Sequence, residues 1–332
     1  MNFKKEINFS LWCDFIERDF LENKFQELVN ENIIQGATSN PAIFESSISN
    51  SIAYKQQINI LQANEPKKIY EELAIQDIKR ASQLLNNIYE NDNKKDGFIS
   101  IEVDPSLCDD YKATIDEGIR LYEAIDSSNV MIKVPATNDG YKAMKELTSK
   151  GINVNATLIF SPIQAKNCAK ALQEGINESI NKPQAVISIF VSRFDKMCDE
   201  IMHSNNIPKS KLGIINATKC YHEINKFNNQ NIRTLFASTG VKCDKLDKGY
   251  YINNLLYPNS VNTAPLSTID NWILYEDKKI SNIIEEKECD NFFDSIKSKN
   301  INIDDIYDKL LKEGLISFKD SFKKLQLKLK SI

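Results

Sequence analysis

Histidine is nearly absent: the chain of 332 residues has only His203 and His222, both in polar, helix-like stretches. A histidine-based catalytic triad or a zinc centre therefore lacks its usual material. The seven cysteines are scattered, and no two form a Cys-x-x-Cys pair. They read as reduced thiols of a cytosolic protein rather than a disulfide framework. No apolar run approaches the length of a membrane span. The opening Met1-Asn-Phe-Lys-Lys-Glu-Ile7 is charged and has no apolar core, so no secretory leader is expected there. Charge of one sign is also missing, with 42 basic against 46 acidic residues and a net charge of −4. No basic field is available to gather nucleic acid. A cytoplasmic protein without membrane or nucleic-acid partners is expected.

What is present is an alternation of short β-type runs and longer helical ones, with 42% hydrophobic residues to build a core. Strand candidates fall at 9–14, 33–40, 98–104, 130–136, 152–160, 185–192 and 234–239, with a weaker one at 261–264. Amphipathic segments at 69–89, 108–124, 162–178 and 194–205 separate several of them. Strands divided by helices need crossover connections, which produce a parallel sheet covered by helices. Eight such runs suit a (β/α)8 TIM barrel with additional helices; an open doubly wound sheet is the rival. One barrel domain is expected over residues 1–332, with a helical insertion around 45–97 and a helical extension around 280–332. The insertion should pack over one end of the barrel, and the extension should cap the core without taking part in chemistry.

Strand parity points to a site. Side chains alternate between the faces of a strand, so Lys133 opposes Ile132 and Val134. By the same rule Ser100, Glu102 and Asp104 share a face, as do Asn153, Asn155 and Thr157, while Ile152, Val154, Ala156 and Leu158 lie opposite. Crossover helices would bury the apolar faces and leave the polar ones pointing into the barrel. Unpaired polar groups there would cost roughly 1–3 kcal/mol each, which is tolerable if they form one network around a ligand. An ammonium held out of water tends to lower its pKa and become a nucleophile.

Such a lysine can attack a ketone and form a protonated Schiff base, an electron sink that lets the C3–C4 bond of a polyhydroxy ketone break without a metal. Proton carriers are then required. Glu102 suits the dehydration step, with Thr157 holding a water, and Asp14 suits the C4 hydroxyl, although Asp14 also reads as a helix N-cap. Asn40 and Asn155 can bond sugar hydroxyls without adding charge; Asn40 before Pro41 is equally a turn residue. Arg193 can grip a phosphate, or pair with Asp195 instead. Ser238 offers a hydroxyl, Lys242 a second positive charge and Gly240 a close backbone approach.

Together the motifs resemble transaldolase. In order they are Gly36-Ala-Thr-Ser-Asn-Pro-Ala-Ile-Phe44, Ser100-Ile-Glu-Val-Asp104, Met131-Ile-Lys-Val-Pro-Ala-Thr137, Asn153-Val-Asn-Ala-Thr-Leu-Ile-Phe-Ser161, Ser188-Ile-Phe-Val-Ser-Arg-Phe-Asp195 and Ala237-Ser-Thr-Gly240. The likeness runs from about Asp14 to Pro265 and is strongest to the bacterial branch. It implies a cofactor-free transfer of a dihydroxyacetone unit from sedoheptulose 7-phosphate to glyceraldehyde 3-phosphate in the pentose phosphate pathway, by a monomer or homodimer. It also places Lys133 as the Schiff-base lysine, Glu102 and Thr157 at the catalytic water, and Asp14 at C4. Asn40, Asn155 and Ser188 fall at donor-binding positions, and Arg193 at a phosphate-binding one. Where many members carry a second phosphate-binding arginine, this chain reads Thr239-Gly-Val-Lys242. Fructose 6-phosphate aldolases resemble it less, tending to glutamine and tyrosine where Glu102 and Phe190 stand. A catalytically silent sugar-phosphate-binding barrel is the remaining alternative.

Overall fold

A computed structural model describes residues 2–241, 246–275 and 278–331. The β-branched and apolar runs form eight parallel strands: β1 (Ser10–Cys13), β2 (Gly36–Thr38), β3 (Ile99–Glu102), β4 (Val130–Pro135), β5 (Asn153–Ile159), β6 (Ala185–Phe190), β7 (Ile232–Ala237) and β8 (Ser260–Ala264). They pair in chain order, and β8 returns to β1 to close a barrel, so the open sheet is excluded. The fold is a (β/α)8 barrel with added helices.

The outward residues Ile132, Val134, Val154, Ala156, Ile187 and Ile189 are buried in the main core under the crossover helices. Several of these helices begin at side-chain caps that the sequence supplies. Thr137 caps the helix Asn138–Ser149, and Ser161 with Gln164 forms a reciprocal capping box on Pro162–Glu178. Inside the barrel, Trp12, Met131, Val186, Leu235 and Val261 pack as an apolar floor. Below it, toward the N-terminal ends of the strands, buried Asp96 accepts from Lys4 (2.8 Å), Trp12 Nε1 (2.8 Å), Arg233 Nη1 (3.3 Å) and Ser10. Burial opposes the charge on Asp96, but the Arg233 guanidinium and the Lys4 amine hold its carboxyl below the usual carboxylate range.

One expectation about the added helices needs correction, and one gains a detail. The stretch after β2 holds the helices Pro41–Asn50 and Lys55–Leu61, but its longest element, Pro66–Asn91, runs down the flank of the barrel rather than over an end. Lys67 near its start bonds Asp104 beyond the C-terminal end of β3 (2.9 Å). The Ser82 carbonyl accepts from Asn129 at the entry to β4 (2.9 Å), and Tyr89 packs edge-on against Phe98 below β3. It is the crossover helix between β2 and β3. The C-terminal helix Ile303–Lys330, in turn, brings a side chain, Phe318, into the barrel mouth. No helix among the described residues is long and apolar enough to cross a membrane.

Candidate active site

Register places the polar side chains in one ring. Glu102 of β3 pairs with Lys133 of β4, and Lys133 with Asn155 of β5, so their side chains share the barrel interior at one level. Lys133 is 5% exposed. Its Nζ donates to the Ser39 carbonyl at 3.0 Å and stands 3.4 Å from Glu102 Oε2. Among the described residues, neither oxygen of Glu102 nor Thr157 Oγ1 has a hydrogen-bond partner. Buried polar atoms without partners are costly, and a polar guest bonded to them would relieve that cost. Burial pushes the Glu102 carboxyl up from the ordinary 4.5 to about 7, against the opposing pull of the Lys133 amine. A carboxyl poised there can give or take a proton near neutrality.

A cavity of about 130 Å³ opens at the C-terminal ends of the strands, with Lys133 on its wall. Asp14, Asn40, Thr157, Ser188, Arg193 and Ser238 also line it, so seven of the ten residues singled out from the sequence meet around one space. Asp14 accepts from the Thr38 hydroxyl (2.7 Å), and the Thr263 hydroxyl lies 2.7 Å from Thr38, so two threonines fix the carboxylate. Asn40 is a helix N-cap rather than a turn residue: Oδ1 accepts from Ile43 N at 3.0 Å to cap Pro41–Asn50, and the residue also lines the cavity.

Glu102 and Asn155 lie behind the wall. Asn155 is fully buried, giving its amide hydrogens to Ser100 Oγ (2.9 Å) and accepting from Ser188 Oγ (2.6 Å). It braces Ser188 and is not itself on the cavity surface. Lys242 lies outside the described residues.

Arg193 is the second residue of the helix Ser192–Ser204 that follows β6. The alternative pairing with Asp195 is not made: Asp195 accepts from Gly213 N (3.0 Å) and the Tyr251 hydroxyl (2.8 Å), and burial pushes it up to about 6. No carboxylate among the described residues comes within 4.0 Å of Arg193. Its guanidinium instead stacks 4.9 Å from the Phe190 ring centroid and 6.0 Å from that of Phe318. A planar donor fork so held, with Glu313, Glu102 and Asp14 acting on it only from beyond ion-pair distance, suits an incoming phosphate.

Two residues at this rim have left-handed backbones that non-glycine side chains seldom adopt, Leu158 (φ 58°) and Ser238 (φ 54°). The first accompanies a register shift in the β5–β6 pairing, which carries Leu158 off its alternating face into the cluster around Phe160. The second brings the Ser238 hydroxyl to 3.1 Å from that of Ser192.

Thr38, Thr263 and Phe318 are cavity residues that the sequence reading missed. Parity within the weak eighth strand could have found Thr263, which shares its face with Val261. Phe318 gave no such signal, because its helical spacing is that of any packing face.

The chain is similar in sequence to known proteins along most of its length. Residues 11–329 match the family described as Transaldolase/Fructose-6-phosphate aldolase. A protein of Helicobacter pylori (strain Shi470) named transaldolase is 48% identical over 317 residues, covering 96% of this chain and 98% of its own length. One of Campylobacter jejuni (subsp. jejuni serotype O:23/36, strain 81-176) with the same name is 51% identical over 274 residues, covering 79% and 82%.

Proposed function

This chain belongs to the transaldolase/fructose-6-phosphate aldolase family, and we propose that it is a transaldolase working through a Schiff base on Lys133. Its donor is sedoheptulose 7-phosphate and its acceptor glyceraldehyde 3-phosphate, giving erythrose 4-phosphate and fructose 6-phosphate in the cytoplasmic pentose phosphate pathway. The observation that carries the reading is the buried amine of Lys133, on the wall of the cavity with Glu102 at 3.4 Å.

The unprotonated amine adds to the C2 ketone of the donor. Glu102 protonates the departing hydroxyl of the carbinolamine, and the resulting water stays between Glu102 and Thr157, where Glu102 Oε1 and Thr157 Oγ1 are free to bond it. Asp14, fixed by Thr38, takes the proton of the C4 hydroxyl as the C3–C4 bond breaks into the iminium. The aldose leaves and an enamine stays on Lys133. Addition of C3 to the acceptor aldehyde reverses these steps. The retained water then attacks C2, and the C2–N bond breaks to release the product ketose. Asn40 and Ser188 hold donor hydroxyls, Asn155 keeps Ser188 in place, and Arg193 takes the terminal phosphate.

Turnover measured with fructose 6-phosphate, with and without erythrose 4-phosphate, tests the function. The expected result is acceptor-dependent formation of a seven-carbon ketose with little free dihydroxyacetone. Lys133→Ala should lower that turnover by at least about 10⁴-fold, the usual order for loss of a covalent nucleophile. Equal release of dihydroxyacetone with and without acceptor would make the enzyme an aldolase instead, and retained turnover in Lys133→Ala would move the chemistry to another amine.

A further inference from the structure

Phe318 is the cavity-wall residue supplied by the C-terminal helix. Its ring centroid lies 5.9 Å from Lys133 Nζ and 6.0 Å from Arg193 Cζ, near the outer limit of about 6 Å for cation–π attraction. Direct attraction is therefore small, and what the ring chiefly does is occupy space that water would otherwise fill. The Lys133 nitrogen thus has a polar side, made by Glu102 and the Ser39 carbonyl, and an apolar side made by Phe318.

The ring is held in place from both directions along its helix. Tyr307 donates to Asn216 Oδ1 (2.8 Å) and packs edge-on against Phe194, while Phe322 packs edge-on against Tyr70. Between them, Gly314 lets the helix settle on the rim: a Cβ there would lie 3.0 Å from Leu158 Cδ2 and 3.3 Å from Arg193 Nη1. A helix so seated is part of the site wall, and Phe318 is only 4% exposed.

We propose that Phe318 is a positioning residue that keeps bulk water from the donor fragment bound to Lys133, so that the fragment waits for a sugar acceptor instead of being released. This rests on the Schiff-base reading above. After C3–C4 cleavage the fragment is an enamine, and covalent geometry puts its C3 about 2.5 Å from the lysine nitrogen. Productive transfer forms a carbon–carbon bond from C3 to the aldehyde. Release as free dihydroxyacetone requires that solvent give a proton to C3, forming the three-carbon iminium. The retained water then attacks C2, and the C2–N bond breaks with its electron pair returning to nitrogen. The two fates share the amine and Glu102; they differ in whether solvent reaches C3. Truncating the phenyl ring opens more than the roughly 30 Å³ that one liquid water occupies.

The test uses the full chain with fructose 6-phosphate and erythrose 4-phosphate, and reads free dihydroxyacetone released per transfer. Both activities come from folded enzyme, so the ratio is insensitive to how much of a variant folds. Phe318→Ala should raise it about tenfold, equivalent to roughly 1.4 kcal/mol of relative barrier. Phe318→Leu, which leaves a smaller gap, should shift it in the same direction by less. A ratio unchanged in both variants, even with both activities reduced, would overturn the proposal while leaving the Schiff base intact. If the wild-type enzyme forms no borohydride-reducible adduct on Lys133, the underlying reading fails, and this proposal with it.

Discussion

Replacing Glu102 with glutamine should change how stability depends on pH more than it changes stability itself. The side chain is buried within the barrel, and burial raises its carboxyl from the ordinary 4.5 to about 7. Between those two values the folded protein holds a proton that the unfolded chain has already lost. Stability linked to this group is therefore fully present below the unfolded value and is lost as pH rises through the folded one. At about 1.4 kcal/mol per pH unit, the interval from 4.5 to about 7 corresponds to roughly 3 kcal/mol. Between about pH 5 and about pH 8, some 2–3 kcal/mol of that should be lost by the wild-type protein, since part is already spent at the lower pH. Glutamine imitates the neutral acid and cannot ionise, so Glu102→Gln should escape this loss. Urea unfolding of both proteins at the two pH values gives the difference directly. The variant should gain about 2–3 kcal/mol relative to wild type on going to the higher pH. A constant difference between the two proteins would show that Glu102 titrates as an ordinary carboxylate, and its role as a proton carrier near neutrality would lose its basis. The same substitution should slow adduct formation at neutral pH, because glutamine cannot exchange a proton.

The remaining expectations concern the phosphate end and the strand that carries the lysine. Arg193→Ala should remove charge-assisted hydrogen bonds worth about 1.5–3 kcal/mol, raising KM for fructose 6-phosphate roughly 10- to 100-fold. Unphosphorylated fructose should be little affected; an equal loss with both ketoses would refute the phosphate assignment. Gly140→Ala should destabilise the fold by about 1–3 kcal/mol despite the better helix former, because its Cβ would lie 1.9 Å from the Pro135 carbonyl oxygen at the end of β4. An unchanged urea midpoint would mean that the helix Asn138–Ser149 shifts on β4 more easily than its packing suggests.

Much of the interior was legible from alternation alone. Parity put Lys133, Glu102, Asn155 and Thr157 on inward faces, and strand pairing in chain order brought them to one region. Alternation failed where the backbone leaves the regular strand. Leu158 turns through a left-handed conformation at the bulge, and Asp104 leaves the barrel to bond Lys67 and the Ser106 amide. Those departures depend on what packs above the rim, which local sequence does not encode. Asn155 shows a subtler limit: its face was legible, but whether its amide meets the cavity or braces a neighbour depends on side-chain depth. The charged plug of Asp96, Arg233 and Lys4 was missed because β7 begins at Ile232, one turn of the alternation before the run that looked most strand-like. Phe318 was hidden for a different reason. Its helix contacts the mouth across more than a hundred residues of chain, and amphipathic spacing reveals a buried face without naming what it buries.

The central claim is that a single amine in the barrel carries the donor covalently. Incubating the protein with fructose 6-phosphate, reducing with borohydride and locating the added mass by peptide mass spectrometry tests it most directly. The account expects a reduced dihydroxyacetone or hexose phosphate adduct on Lys133 and nowhere else; an adduct on another lysine, or none during active turnover, would contradict it.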